Sequence, residues 1–384
     1  MKIVYLIAGT FNSGGMERVL ANKTNWLVEH GYEVSIVTTD QRGQKSYFPL
    51  HPSIQCFDLD INYDANNGKP FWNKLLSYPI KQYRHRRRLS RLLKRLQADI
   101  TVCMFNNDVS FVSEIQDGSR KILEVHFSKY KKLQYGRHGL WRWVDVWRTR
   151  QEEKYVRRYD KFVVLTHEDK ELWGNLPTIT VIPNACTFKI SEKADLSQQR
   201  VLAVGRLEEQ KGFDRLLDIW SSLAANASGW KLVIVGSGPL HDNLQKQVDS
   251  LGISDSVILQ GSVKNMNDIY LHASIMVMTS HYEGLPMALL EAQAFGIPMV
   301  AYACKCGPRD IITDGKNGFL IEEGNQPDFV QKLSLLMQDE GLRKQMGRET
   351  QVASKAFSEE RIMSQWNQLF QSFRKDEDHC CVGS

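Results

Sequence analysis

Short apolar runs alternate with longer stretches in which apolar residues fall three and four apart, and this alternation continues along the chain. The short runs cover residues 2–8, 33–39, 100–104, 120–125 and 161–165, then 200–204, 231–235, 256–259, 275–279 and 298–302. They are β-rich and too short for helices, so they predict buried strands. The longer stretches include 14–29, 212–225, 239–251 and 285–296, whose spacing predicts amphipathic helices. Strands alternating with helices predict parallel sheets covered on both faces, an α/β doubly wound architecture seen here twice.

The two sets part near residues 185–198. Ile182-Pro183-Asn184 closes the first, and the polar run Ser191 to Gln199 precedes a fresh strand at Arg200 to Val204. At 384 residues the chain also exceeds what one hydrophobic core usually serves. The expected organisation is a first domain over 1–190, a second over 191–357, and a final helix (about 358–373) with a polar tail to 384. No repeat at solenoid periods is visible.

Composition narrows the class. The chain is 42% hydrophobic and 24% charged, ordinary for a soluble globular protein. Its longest apolar runs fall far short of the ~20 residues of a membrane span. Met1-Lys2 followed by Ile-Val-Tyr-Leu-Ile reads as a first strand rather than a secretory signal. Seven scattered cysteines fit a reducing cytoplasm better than a disulfide framework. Cys304 and Cys306 form a C-x-C pair with no second pair to complete a zinc site. The last four residues, Cys-Val-Gly-Ser, read as polar tail rather than a prenylation box. Residues 1–190 hold 30 Lys and Arg against 19 Asp and Glu, whereas 191–384 hold 19 against 25. A basic half joined to an acidic half suggests units with different partners.

Three segments carry candidate chemistry. Gly9-Thr10-Phe11-Asn12-Ser13-Gly14-Gly15-Met16-Glu17 follows the first strand and opens a helix, where backbone N–H groups can meet an anion. A plain turn uses the same glycines. Their spacing departs from the G-x-G-x-x-G dinucleotide fingerprint, which argues against a dehydrogenase. Gly205-Arg206-Leu207-Glu208-Glu209-Gln210-Lys211-Gly212 lies at the carboxyl end of the second set's first strand, where open α/β sheets bind ligands. Arg206 and Lys211 could clamp a diphosphate there, or be two solvated charges beside an acidic pair. In Ser280-His281-Tyr282-Glu283-Gly284-Leu285-Pro286, continuing to Glu291, Pro286 suits a first helical turn. That places Glu283 before a helix and Glu291 within it, about 12 Å apart if eight residues are helical. Such carboxylates can bind hydroxyls at opposite ends of one extended ligand, but are too distant for a glycosidase pair.

Together these segments resemble the retaining GT-B glycosyltransferases of family 4. The resemblance covers G-R-L-x-x-x-K-G at 205–212, Val235-Gly236-Ser237-Gly238-Pro239, the E-x7-E segment Glu283 to Glu291, Gly296-Ile297-Pro298-Met299-Val300 and Asn317-Gly318-Phe319. The first domain matches more thinly, at Gly14-Gly15-Met16-Glu17, His126 and Ile182-Pro183-Asn184. Within the family the chain looks closest to bacterial enzymes of capsular and exopolysaccharide assembly. The resemblance implies a GT-B fold, two facing Rossmann-like domains with a cleft between them, and a final helix packed back on the first.

Carried onto this sequence, the resemblance makes Arg206 and Lys211 the diphosphate clamp and Glu291 the ribose ligand. Glu283, with the Gly284 and Leu285 backbone, would face the transferred sugar and distal phosphate. Gly14 and Gly15 would bring N–H groups to the phosphate. His126 would contact the sugar near the reaction centre, although an isolated strand-end histidine otherwise reads as structural. Gly261-Ser262-Val263-Lys264 would hold the base, with Val263 among its contacts. Breaking the anomeric C–O bond leaves negative charge on the diphosphate, which fixed cations and N–H dipoles stabilise.

The implied activity is retaining transfer of a hexose or N-acetylhexosamine from a nucleotide-diphosphate sugar, UDP-sugar first, to a glycan or lipid-linked acceptor. No further cofactor and no metal are implied, since Arg206 and Lys211 would supply the positive charge. Asp58-Leu59-Asp60 is a D-x-D sequence, but it stands where a strand end and turn are expected. A sugar-nucleotide epimerase or phosphorylase of the same fold is the alternative.

Residues 81–97 predict a basic amphipathic helix with Leu89, Leu92, Leu93 and Leu96 on its apolar stripe. Its cations are either a solvated face or an attraction to anionic lipid, with nucleic acid a remote third. Tyr130-Lys131-Lys132-Leu133-Gln134-Tyr135, then Trp141, Trp143 and Trp147, could stack on sugar rings or belong to a helix that buries its tryptophans. The expected location is cytoplasmic, at the inner face of the membrane if the basic helix docks there.

Overall fold

A computed structural model describes residues 1–66, 71–129, 131, 140–186, 188, 192–224, 229–263 and 265–380. Tyr130, Lys132, Leu133, Gln134, Tyr135, Lys264 and the last four residues lie outside the described residues, as does the Trp141 side chain. The chain forms two compact units. One comprises Met1–Leu165, Asp169–Ile182 and Met363–Ser384; the other comprises Thr166–Glu168 and Pro183–Ile362.

In chain order the first unit contains β1 (Lys2–Ile7), α1 (Gly15–Glu29), β2 (Glu33–Thr38), β3 (Gln55–Asp58), α2 (Phe71–Leu96), β4 (Ile100–Cys103) and β5 (Arg120–Glu124). It continues with α3 (Leu140–Val156), β6 (Lys161–Val164), α4 (His167–Trp173, from Asp169 onward) and β7 (Ile179–Val181). The seven strands are parallel in the order β3-β2-β1-β4-β5-β6-β7. Their Val, Ile and Leu side chains meet Leu89, Leu92 and Leu93 of α2 in one apolar core. Burial of those three α2 residues explains their i, i+3, i+4 spacing.

The second unit contains β8 (Arg200–Val204), α5 (Phe213–Ala224), β9 (Lys231–Val235), α6 (His241–Ser250), β10 (Val257–Gln260), α7 (Met266–Leu271) and β11 (Ile275–Met278). After these come α8 (Met287–Ala294), β12 (Met299–Tyr302), α9 (Pro308–Ile311), β13 (Gly318–Ile321), α10 (Gln326–Gln338) and α11 (Glu340–Ser354). Its six parallel strands run β10-β9-β8-β11-β12-β13. Trp220 of α5 and Phe329 of α10 are fully buried in its core.

The last helix, α12 (Glu359–Cys380), belongs to the first unit from Met363 onward. Trp366, Phe370 and Phe373 are buried there, and Tyr32 hydrogen-bonds Asn367 and accepts from Gln371 Nε2 at 3.1 Å. Phe370 meets the Tyr32 ring edge-on at 6.1 Å.

Each sheet reverses its winding once, between β1 and β4 and between β8 and β11. Loops leaving the carboxyl ends of adjacent strands diverge at such a switch point and leave a crevice for a ligand. The segments after β1, β8 and β11 are the three singled out from the sequence.

Candidate active site

In the second unit, glycines let the loops after β8 and β9 approach backbone to backbone. A Cβ on Gly236 (φ 152°) would stand 1.9 Å from the Gly205 carbonyl oxygen, and one on Gly238 would stand 2.5 Å from that of Leu207. Leu207 N donates to Ser237 O at 3.0 Å, fixing the pair of loops. The Lys211 stem lies across Gly205, whose absent Cβ leaves room for it. A single 3₁₀ turn, Glu209–Lys211, then stops at Gly212 in the left-handed region (φ 58°).

The loop after β11 is laced to that turn. His281 N donates to Gln210 O at 2.8 Å, Gln210 Nε2 donates to Tyr282 O at 2.9 Å, and Thr279 Oγ1 donates to Gly212 O at 2.8 Å. Lys211 Nζ therefore sits 2.6 Å from Glu283 Oε1, with the Glu283 side chain buried. Glu283 N also donates to Lys305 O at 3.2 Å. Burial first, and then the Glu283 and Glu323 charges, push the neighbouring Cys304 thiol far above its ordinary pKa, so it stays neutral.

Glu291 is buried within α8 and accepts from the Tyr270 hydroxyl at 2.6 Å. The Tyr270 ring stacks on Phe295 with centroids 5.2 Å apart. Tyr270 is thus a partner of Glu291 that the sequence reading missed, because nothing local ties position 270 to 291. Pro286 caps α8 instead of lying in its first turn, so Glu283 is four residues before the helix. The 12 Å separation expected from eight helical residues therefore does not apply.

Arg206 is 70% exposed and pairs with Glu208 Oε1 at 3.1 Å, not with Lys211 or Glu283. An exposed pair of this kind contributes little, so the guanidinium is cheap to redirect. Gly284 and the buried Leu285 follow Glu283 directly, and Gly307 (φ 100°) backs them, since a Cβ there would meet Pro286 Cδ at 2.3 Å. Val263 is half-buried beside Ser262, whose hydroxyl is 2.9 Å from that of Ser237.

Gly14, Gly15 and His126 belong to the first unit. Gly14 is the N-cap of α1, and Gly15 has open space where a Cβ would stand. The Glu17 carboxylate lies against Gly14 and interacts favourably with the helix N-terminus. His126 follows β5 with its side chain nearly buried and Nε2 3.1 Å from Glu124 Oε1.

Asp58-Leu59-Asp60 forms a turn. Asp58 Oδ1 accepts from Thr38 Oγ1 and Asp60 N, both at 3.2 Å, Asp60 binds Asn62, and Leu59 is in the core. Among the described residues no group of three His, Cys, Asp or Glu side chains is placed to hold a metal ion.

Residues 13–187 match the family model for glycosyltransferase family 4, and residues 187–352 match that for glycosyl transferases group 1. An uncharacterized glycosyltransferase of Haemophilus influenzae is 32% identical over 369 residues, covering 95% of this chain and 98% of its own. The chain is a family 4 glycosyltransferase. This enzyme is also 28% identical to the amylovoran biosynthesis glycosyltransferase AmsD of Erwinia amylovora, over 96% of the chain and 99% of the relative. A mutant of S. aureus TarM, solved with fondaparinux, α-GlcNAc-glycerol and UDP, superposes with a TM-score of 0.76 at 16% identity. That likeness covers 96% of the glycosyltransferase and 99% of the TarM chain. The fold of the enzyme is GT-B, built from two Rossmann-like parallel-sheet domains.

Proposed function

We propose that this glycosyltransferase moves a hexose or N-acetylhexosamine from a UDP-sugar to a glycan or lipid-linked glycan in cell-surface polysaccharide synthesis, with retention of configuration. The observation that carries the reading is the Lys211–Glu283 pair at the β8/β11 switch point. An ammonium there can follow a diphosphate as negative charge develops on it, while the released carboxylate accepts from the sugar hydroxyls. Arg206 is a second cation for the diphosphate, and Glu291, oriented by Tyr270, accepts from the ribose. In this reading the two cations take the place of a catalytic metal, and the Asp58 and Asp60 carboxylates stay in their turn. Gly14 and Gly15 supply N–H groups to the phosphate, His126 meets the sugar, and Val263 lies by the base. The UDP-bound TarM neighbour supports the donor, and the AmsD relative supports the polysaccharide product. No observation favours an epimerase or phosphorylase.

The acceptor side is proposed to meet an anionic membrane from the cytoplasm. No helix among the described residues is long and apolar enough to cross one. Support comes from α2, which holds nine Lys and Arg and no Asp or Glu. Leu76, Ile80 and Tyr83, at i, i+4 and i+7, are exposed on the face that continues to Arg87 and Arg91. On α3, Trp143 and Trp147 are 76% and 60% exposed, which removes the alternative that this helix buries them. Apolar side chains beside cations suit the boundary between headgroups and acyl chains.

Thermal shifts with UDP, GDP, ADP and NAD test the donor site, on wild type, Arg206→Ala and Lys211→Met. Stabilisation by UDP, weakened in both variants, followed by transfer of labelled sugar to a glycan acceptor, is the expected result. Stabilisation by NAD alone, or release of the sugar without any acceptor, overturns it.

A further inference from the structure

Behind His126 lies a buried ionic cluster that the donor site does not use. Side chains two apart on a strand leave the same face, so Glu124 and His126 turn to one side at the end of β5. Lys23, on the inner face of α1, meets them there. Its Nζ is 2.5 Å from Glu124 Oε1, and His126 Nε2 approaches the same oxygen at 3.1 Å. The Lys23, Glu124 and His126 side chains are only 5%, 1% and 7% exposed. Trp366 of α12 covers the ammonium, with its ring centroid 3.8 Å away, and Tyr5 of β1 stands at 5.9 Å.

Charge balance alone does not explain this arrangement. An ammonium 2.5 Å away already neutralises Glu124, so its charge does not call for a second cation. Yet Glu124 Oε2 and His126 Nε2 are both buried without an aligned hydrogen bond. Buried polar groups left so are uncommon. Nε2 nevertheless lies 3.1 Å from Oε1 of the same carboxylate, so a modest turn of the imidazole about its soft χ2 aligns a bond to Glu124. Hydrogen bonds at reacting centres commonly tighten in this way only when the ligand arrives.

We propose that Glu124 is a positioning residue for His126. Its carboxylate, neutralised by Lys23 and closed off by Trp366, accepts the hydrogen bond from Nε2–H and leaves Nδ1 as the nitrogen offered to a sugar hydroxyl. A carboxylate on one ring nitrogen fixes both the tautomer and the ring plane. The C-terminal helix thereby completes the support of a residue more than 200 positions upstream. What Nδ1 meets rests on the transferase reading; the tautomer does not.

Two double variants separate positioning from stability: Lys23→Met with Glu124→Gln, and Lys23→Met with Glu124→Leu. Both delete the ion pair, but only glutamine keeps an acceptor for Nε2–H. The glutamine pair is expected to hold kcat within about threefold. The leucine pair should lose about tenfold or more, with donor KM within about threefold in both. In ¹⁵N-histidine NMR at pH 8, the His126 signal, assigned by its loss in His126→Asn, should report Nε2–H in wild type and the glutamine pair. The leucine pair should show mixed tautomers. Equal kcat in the two pairs, or an Nδ1–H tautomer in wild type, overturns the proposal. Should the leucine pair fail to fold by circular dichroism, the wild-type tautomer decides. Should wild type transfer no sugar, the transferase reading fails while the NMR result still decides the role of Glu124.

Discussion

Replacing Lys23 by methionine tests whether the cluster under His126 is a desolvated ion pair. Neither Lys23 nor Glu124 exceeds 5% exposure, and their charged atoms are 2.5 Å apart. Burial alone raises the Glu124 pKa, but Lys23 and then His126 outweigh it and hold the carboxyl at about 2, against an ordinary 4.5. That depression is worth roughly 3 kcal/mol of preference for the charged form. Without the ammonium, burial dominates, and the fold must either keep an unpaired charge or take up a proton. Breaking one partner of such a pair costs about 3–5 kcal/mol, far more than removing both.

The pH dependence has a definite sign. In wild type the folded-state pKa is depressed, so the contribution of Glu124 is present above about 4.5 and lost as pH falls toward 2. In Lys23→Met the folded-state pKa moves above the unfolded value. The variant is then most stable below about 4.5 and weakens as pH rises through the elevated pKa. Urea unfolding followed by far-UV circular dichroism at pH 5.5 and 7.5 measures both effects. Lys23→Met should lose about 1 M in midpoint at pH 7.5 and less at pH 5.5, with Glu124→Gln added in cis recovering most of it. A wild-type midpoint at pH 7.5, or an equal deficit at both pH values, refutes the reasoning.

Three further outcomes follow from separate features. Burial raises the Asp108 pKa from 3.8 to about 6, against which Cys103 Sγ–H at 3.1 Å helps only in part. Its contribution is full below about 3.8 and lost as pH rises through 6, so Asp108→Asn should stabilise by about 1–3 kcal/mol at pH 7.5 and little at pH 4, read from urea midpoints. Gly236→Ala should push the β9 loop off Gly205 and disturb the seat of Lys211. A stability loss of about 2–3 kcal/mol and a smaller UDP-induced thermal shift are expected. Trp143→Ser with Trp147→Ser should reduce co-sedimentation with phosphatidylglycerol vesicles about tenfold while leaving UDP binding unchanged; undiminished sedimentation would remove the membrane proposal.

Legibility in the sequence followed burial and locality. The strands flanked on both sides, β1, β2, β4, β5, β6, β8, β9, β11 and β12, are nearly all continuous apolar runs, and each was readable to within a residue or two. The missed strands β3, β7 and β13 are sheet edges, although the fourth edge strand, β10, was read at 256–259. β3 reads Gln-Cys-Phe-Asp and is largely exposed, and β7 has three half-buried residues, so neither needs the apolar run that betrays an inner strand. The first ten residues of α2 escaped for a related reason. Pro79 interrupts the pattern, and the outward Leu76, Ile80 and Tyr83 blur the contrast between faces that marks Leu89, Leu92 and Leu93.

The site divides along the same line. Lys211 and Glu283 were visible because each stands in a local pattern of glycines at a strand end, and the switch point brings two such patterns together. Lys23, Glu124 and Trp366 had no such marker. A lysine reads as a solvated charge wherever it falls, and the residues that desolvate this one come from β1, β5 and a helix at the far end of the chain. Only the fold makes them neighbours. A motif can therefore name the groups expected to touch a substrate, while the residues that fix the charge and orientation of those groups are set by topology. Changes at Lys23 or Trp366 should alter His126 although neither belongs to any motif around it.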